Sequence, residues 1–334
     1  MQLAVAIFLA LAFSLTNGFH DASNAIATLV ATRAARPGQA IVIAAVFNIL
    51  GAVVIGTAVA DTIAGIVTVD QGDVIAVVGS GLAGATAWNL LTWWRGLPSS
   101  SGHALVGGLV GAALAEAGTD AVNWGGFNGW HPVGVIGVLV ALAVSPVLGL
   151  GGAVLVLTAL RRLLRRATRR VAPPIDGLQW VMAAALSFSH GSNDAQKSMG
   201  VIAVLLLAGG RISTLEVPLW TKFATGVALT LGTALGGWRI VRTIGRRIYP
   251  LQPLDSLASQ VTSTGVILGA SAIGAPVSTT HVVAASVVGT GVGHRRFHHV
   301  RWEIVREILI AWLTTIPAAG ALAALALLLW KAVT

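Results

Sequence analysis

The sequence predicts an all-α polytopic membrane protein, organised as an inverted repeat with broken helices and re-entrant hairpins. Three observations carry this. Of the 334 residues, 55% are hydrophobic and only 10% charged, and apolar runs near the ~20 residues that a bilayer-spanning helix needs cover most of the chain. The basic residues fall in short runs between those segments. Two polar motifs occur twice, in the same order.

The short connections leave no room for a soluble domain. The chain has no cysteine, which excludes disulfides and thiolate metal sites. Its first residues, MQLAVAIFLALAF, lack the basic stretch of a cleaved signal peptide and are expected to stay in the fold. The formal charge of +9 could suggest a nucleic-acid partner, but none is expected. The basic runs at 33–36, 161–170 (RRLLRRATRR), 239–247 and 294–301 alternate with acidic or uncharged loops at 61–73, 116–131 and 209–216, which is the positive-inside pattern. The basic runs are placed in the cytoplasm and both termini outside it, in a multi-pass protein of the cell membrane. Residues 1–160 form a first membrane repeat, 161–174 a basic cytoplasmic linker closed by Pro173 and Pro174, and 175–334 a second, inverted membrane repeat.

The repeat is visible without gaps. SLTNGFHDASN at 14–24 aligns on SFSHGSNDAQK at 187–197, placing Asp21 on Asp194, and PSSSGHALVGGLVG at 98–111 aligns on PVSTTHVVAASVVG at 276–289, placing His103 on His281. Chance similarity of apolar helices would not match Pro, the hydroxyl residues, His and Asp together. One unit starts outside and the next inside, so the repeat is inverted, an architecture of secondary transporters.

Length suggests where helices break. The stretch from 3 to 32 would be about 45 Å long as one helix, beyond a core of about 30 Å, so an interruption is expected at Asn17 and Gly18 and at the equivalent polar centre of 178–208. Residues 103–115 and 281–293, about 20 Å each as helices, are too short to span and should begin near the midplane. Each is preceded by Pro and small hydroxyl residues: Pro98 with Ser99, Ser100 and Ser101, and Pro276 with Ser278, Thr279 and Thr280. Such residues cap a helix start and leave free amide donors, and with the positive end of the helix dipole they make an anion site. Inversion brings the two helix starts to one central point, suited to a small oxyanion. The carboxylates of Asp21 and Asp194 do not suit an anion; intramembrane ionisable groups mark cation or proton pathways. Uptake of a dianion against an inside-negative potential costs about 4.6 kcal/mol per 100 mV, which co-transported positive charge would offset.

Other features have blander readings. His103, His281, His20 and His190 can serve as structural polar groups. The glycine runs GGLVG and GTALGG suit helix packing. GSGLAG at 79–84 matches a nucleotide-binding pattern but lacks a preceding strand. A membrane enzyme would need a recognisable catalytic motif, and GxSxG, HExxH and Walker sequences are all missing. An anion channel would show a selectivity ring without paired carboxylates.

The stretches GFHDASNAIATLVATRA, WNLLTWWRGLPSSSGHALVGGLVGA, SHGSNDAQKSMG and APVSTTHVVAASVVG together resemble the inorganic phosphate transporter (Pit) family, over essentially the whole chain. The resemblance is to the bacterial, low-affinity, proton-coupled branch. It implies uptake of inorganic phosphate by symport and alternating access, with phosphate held by Ser99, Ser100, Ser101, Ser278, Thr279, Thr280, Gln196 and Lys197. Coupling protons or Na+ would use Asp21, Asn24, Asn193, Asp194 and His20. No resident cofactor or metal is implied; a divalent cation carried with phosphate and a homodimer are kept as options, as are a sulfate permease of the same fold and sodium coupling. Lys197 stands where the sodium-coupled branch carries Asn, and Gly102 replaces the more usual hydroxyl before His103.

Overall fold

The structure, a computed structural model, describes residues 1–128, 131–168, 171–235, 237–294 and 297–333. Arg169 and Arg170 of the basic linker, Arg295 and Arg296 of the last basic run and Gly236 of GTALGG lie outside the described residues. The chain forms α1 (Gln2–Ala31), α2 (Pro37–Val54), α3 (Ala58–Ala64), α4 (Val74–Arg95), α5 (Ser101–Ala117) and α6 (Gly134–Leu163). It then forms α7 (Ala172–Ala208), α8 (Leu219–Leu235), α9 (Trp238–Arg242), α10 (Pro253–Ala272), α11 (Thr279–Gly293) and α12 (Trp302–Val333). A hairpin of β1 (Gly126–Asn128) and β2 (His131–Val133) decorates the loop before α6. Among the described residues, five helices, α1, α2, α4, α6 and α12, are long and apolar enough to cross a membrane.

The six helices of each half correspond in order, and the halves interlock. The first helix of each half packs on the second helix of the other, α1 on α8 and α7 on α2. The last helix of each half clasps the hairpin of the other, α6 against α10 and α11, and α12 against α4 and α5. Both closing helices hold one interior proline, Pro146 and Pro317. Two large apolar layers result, with a smaller cluster of Ala52, Ala60, Ala195, Met199 and Leu229 beside them. One gathers Ala6, Ala10 and Phe13 of α1 with Val201, Ile202 and Leu205 of α7 and the end of α12. The other gathers Ile26, Ala27 and Leu29 of α1 with Ala183 and Leu186 of α7 and the start of α12. Thus α1 and α7 cross the layers in opposite directions, the signature of inversion. Both termini lie by the first layer, and the basic runs at 33–36 and 239–247 lie by the second.

One expectation is corrected. Neither α1 nor α7 breaks at its polar centre; they run unbroken for 30 and 37 residues. Excess length is accommodated by tilt or projecting turns, and the polar side chains of both centres find partners on the hairpins, so length and polarity did not require a break. The interruptions fall instead between α2 and α3, around α9, where residues 243–247 form one π-helical turn, and at the tips of the hairpins α4–α5 and α10–α11. The basic linker is also shorter as a loop than as a composition, because α6 takes in Arg161 and Arg162 and α7 starts before Pro173.

Close helix crossing is set by matched glycines. A Cβ on Gly18 would stand 2.0 Å from the Leu229 carbonyl oxygen, and one on Gly191 2.1 Å from that of Asn48. Gly232 and Gly51 repeat the pattern against Leu15 and Phe188. These contacts are to backbone, which cannot swing away. Gly18→Val or Gly191→Val is therefore expected to destabilise the fold by about 1–3 kcal/mol, the range for overpacking. Thermal unfolding in detergent checks this; an unchanged melting temperature would contradict it. The glycines of GSGLAG likewise sit in the middle of α4, with Gly81 against Leu109 and Gly84 against Ala323, so that motif packs helices.

Candidate functional site

Between the apolar layers lies a buried polar belt, built where the centres of α1 and α7 meet the two hairpin tips. Each tip is fixed by its cap. Ser100 and Ser278 are extended N-cap residues whose Oγ atoms accept from the backbone N–H of His103 and His281, at 3.1 and 3.2 Å. The next residues reach the carboxylates. The Ser101 hydroxyl lies 2.7 Å from Asp21 Oδ2 and 2.7 Å from Asn17 Oδ1, so its one proton is shared between them. Its repeat equivalent, Thr279, donates to Asp194 Oδ2 at 2.8 Å.

The halves then diverge. Thr280 of the second hairpin donates to Asp21 Oδ1 at 2.5 Å, and Asn24 Nδ2 donates to Thr279 and Thr280 at 3.2 and 3.1 Å. Across the pseudo-axis, Asp194 bonds instead to the ammonium of Lys197, which also donates to the Val277 carbonyl at 2.8 Å. His190 Nε2 approaches Asp194 Oδ2 at 3.0 Å, and Nδ1 of the same ring faces Asn48 Oδ1 at 3.1 Å.

Around this centre, His20 is held 3.3 Å from Asp21 and 3.2 Å from both Thr92 and Ser99. Ser99 itself donates to Thr92, so it orients His20 rather than lining the centre. Asn193 and Gln196 are not brought in. Asn193 donates to Ser271 and Ala275, while Gln196 accepts from the Val59 N–H at 2.9 Å and donates to the Ser192 carbonyl; both tie α7 to neighbouring elements.

Asp21, Asp194 and His190 each place a ligand-type atom within 4.8 Å of the others, all buried. Two carboxylates at that distance repel by roughly 3–4 kcal/mol at an effective dielectric of ~20. Lys197 offsets one of them. Imidazoles aside, two carboxylates and one ammonium leave the centre one formal negative charge. Buried polar atoms near the tips without a hydrogen-bond partner among the described residues include Asn17 Nδ2, His103 Nδ1 and His281 Nε2. An unmet buried group costs about 1–3 kcal/mol, which an oxyanion or its waters would relieve.

His103 and His281 stack tip to tip with ring centroids 4.6 Å apart, and His281 lies on Trp312 at 3.6 Å. Trp312 in turn donates to the Pro98 carbonyl, locking the first tip to α12. Nothing marks Trp312 in an apolar run of sequence. Asn17 and His190 could have been found, because the internal alignment sets them opposite each other, one helical turn before each Asp.

A cavity of about 1070 Å³ opens beside α3, α6 and α10 and reaches Ala275, Pro276 and Val277 at the second tip. On the other hairpin α4 and α5 pack closely on α12, with Gly84 against Ala323 and Gly107 against Ile316.

The model of the Phosphate transporter family matches residues 17–173 and again 164–323, one match per half. The chain belongs to this family. Its members named as probable low-affinity inorganic phosphate transporters include a Bacillus subtilis (strain 168) protein, 38% identical over 96% of this chain and 94% of its own length. A Rhizobium meliloti (strain 1021) protein of the same name is 41% identical over 97% of this chain and 93% of its own. The solved structure titled "The sodium-dependent phosphate transporter" superposes with a TM-score of 0.88 at 25% identity, covering all of both chains. The resemblance read from the four motifs is met, and the membrane-enzyme reading falls, because this is a family of transporters.

Proposed function

We propose that the chain takes up inorganic phosphate by symport with protons, through alternating access. The observation that carries this is the sharing of hydroxyls. Ser101, Thr279 and Thr280, which stand at two opposed helix starts, are donated to Asp21 and Asp194. A carboxylate that gains a proton or a cation accepts less strongly, which frees those hydroxyls for an oxyanion at the same place. Substrate and coupling ion therefore favour one another at one site, as symport requires. The cavity that reaches the second hairpin tip supports a state open toward one face, and the opposed packing of the halves supplies the mirrored state. We place the face that holds both termini outside the cytoplasm, by the charge of the loops.

Phosphate is supported by the family and by the named relatives. Proton coupling is supported by His20, His190 and the carboxylates lying within one buried cluster, and by Lys197, which leaves little room for a second metal cation. The same ammonium argues against a divalent ion held between Asp21 and Asp194. A sodium-coupled reading is favoured by the structural neighbour's title and by the Asp21 side, which carries Asn24 and hydroxyls but no fixed charge.

The deciding experiment uses purified protein in liposomes, labelled phosphate, choline in place of all sodium and an inward pH gradient. Uptake is expected to persist and to follow the gradient. Complete loss in choline would transfer the coupling to sodium. Competition by unlabelled sulfate in the same assay reads the anion preference, with phosphate expected to win.

A further inference from the structure

We infer that Lys197 and Gly102 act as a pair that builds a tethered cation into the second half of the site, so that this half takes up no exchangeable cation. The inference rests on the symport reading and deepens it by assigning the cation requirement to two residues.

The two halves are each other's control. Asp21 receives one hydroxyl from its own hairpin, Ser101, and one from the opposite hairpin, Thr280. Asp194 receives the first of these, from Thr279, but the position equivalent to Thr280 is Gly102, which has no hydroxyl to give. The position equivalent to Asn24 is Lys197, and its ammonium takes the vacant bond. The substitutions are sterically linked. A Cβ on Gly102 would lie 3.3 Å from Lys197 Nζ, 3.7 Å from Cε and 3.7 Å from Ser100 Oγ. A threonine there would add two more heavy atoms in the same space. Hydroxyl and ammonium thus crowd the same corner, and the two halves show the alternatives: an oxygen-lined pocket beside a carboxylate around Asp21, an internal ion pair around Asp194.

The surroundings explain what the ammonium does. Lys197 is 1% exposed and faces the start of α5, whose dipole end is also positive. Two positive features share this corner, with Asp194 the one acidic side chain bonded to the ammonium. An anion at the α5 start would complete the balance, so the ammonium bridges carboxylate and substrate in the way a bound metal cation would. Being part of α7, it does not travel with the cargo. Its bond to the Val277 carbonyl also anchors the tip of the second hairpin to α7 in every cycle, without waiting for an ion.

The test converts the second half into a copy of the first. Full-length wild type, Lys197→Asn/Gly102→Thr and Lys197→Met are purified and compared in sodium chloride and choline chloride, by melting temperature and by labelled phosphate uptake in liposomes. The double variant is expected to melt higher in sodium than in choline, and to lose uptake in choline by about tenfold or more, the scale of one charged hydrogen bond, with recovery in sodium. Wild type should show neither response. Lys197→Met, which keeps the length and removes the charge, should lose uptake in both salts. Wild-type rates in Lys197→Met, or a double variant as indifferent to sodium as wild type, would overturn the proposal. Should the double variant not fold, Lys197→Asn/Gly102→Ser is read in the same way. Absence of phosphate uptake by wild type would instead sink the symport reading, while the sodium-specific melting shift would still report on the converted half.

Discussion

Asp21→Asn is expected to abolish coupled uptake while leaving a folded protein. The carboxylate accepts from Ser101 and Thr280 and lies 3.3 Å from His20, and an amide of the same shape can keep one such bond through its oxygen. What it cannot do is gain and release a proton or hold a cation. Asp194→Asn occupies the equivalent place in the repeat, yet the structure separates the two outcomes. Removing the Asp194 charge strands the Lys197 ammonium in a buried site, and a broken buried ion pair costs about 3–5 kcal/mol. This variant is therefore expected to lose both transport and stability, and Asp194→Asn/Lys197→Met should recover the stability without the transport. Melting temperature and uptake on the four proteins check the scheme. Near wild-type uptake with unchanged pH dependence in both single variants would show that the carboxylates are structural.

This asymmetry marks the limit of what the sequence discloses. The paired motifs are legible because the residue types are improbable together in apolar segments: Pro, hydroxyl, His and Asp at matching offsets identify both the duplication and the hairpin tips. The capping roles of Ser100 and Ser278 follow from residue type and position alone. The unbroken α1 and α7 were not legible. Their polar centres look like breaks because a sequence shows the cost of burying Asn17, His20 and Asp21 but not the partners, which come from positions 72 to 259 residues away, such as Thr92 and Thr280. Gln196 and Asn193 share the motif with Asp194, and the resemblance implies substrate binding for the first and coupling for the second; on a helix, neighbouring residues face different directions, and these two meet α3 and the α10–α11 tip instead. The Gly102–Lys197 linkage spans two motifs in opposite halves, and only the three-dimensional approach of α5 to α7 joins them.

The second large effect concerns the shared hydroxyls. Ser101→Ala removes the proton held between Asp21 and Asn17, and Thr279→Ala removes the hydroxyl between Asp194 and Asn24. If an oxyanion takes over these donors on binding, each loss should weaken phosphate affinity by about 0.5–3 kcal/mol, or roughly twofold to over a hundredfold, toward the upper end because the acceptor is charged. The maximal rate should fall later than affinity. Ser100→Ala and Ser278→Ala provide the contrast, because their oxygens accept from backbone amides as caps, and loss of a cap lowers stability by about 0.5–2 kcal/mol. Binding of phosphate and melting temperature are measured on all four purified variants. The expected pattern is crossed: affinity falls at Ser101 and Thr279, stability at Ser100 and Ser278. Thr279→Ala should be the milder of the first pair, since Asp194 keeps Lys197 and His190 as partners whereas Asp21 is left to Thr280 and His20. Unchanged affinity with lowered melting temperature at Ser101 and Thr279 would reassign these hydroxyls to holding the hairpins in place, and would move the substrate site toward the unpartnered nitrogens of His103 and His281.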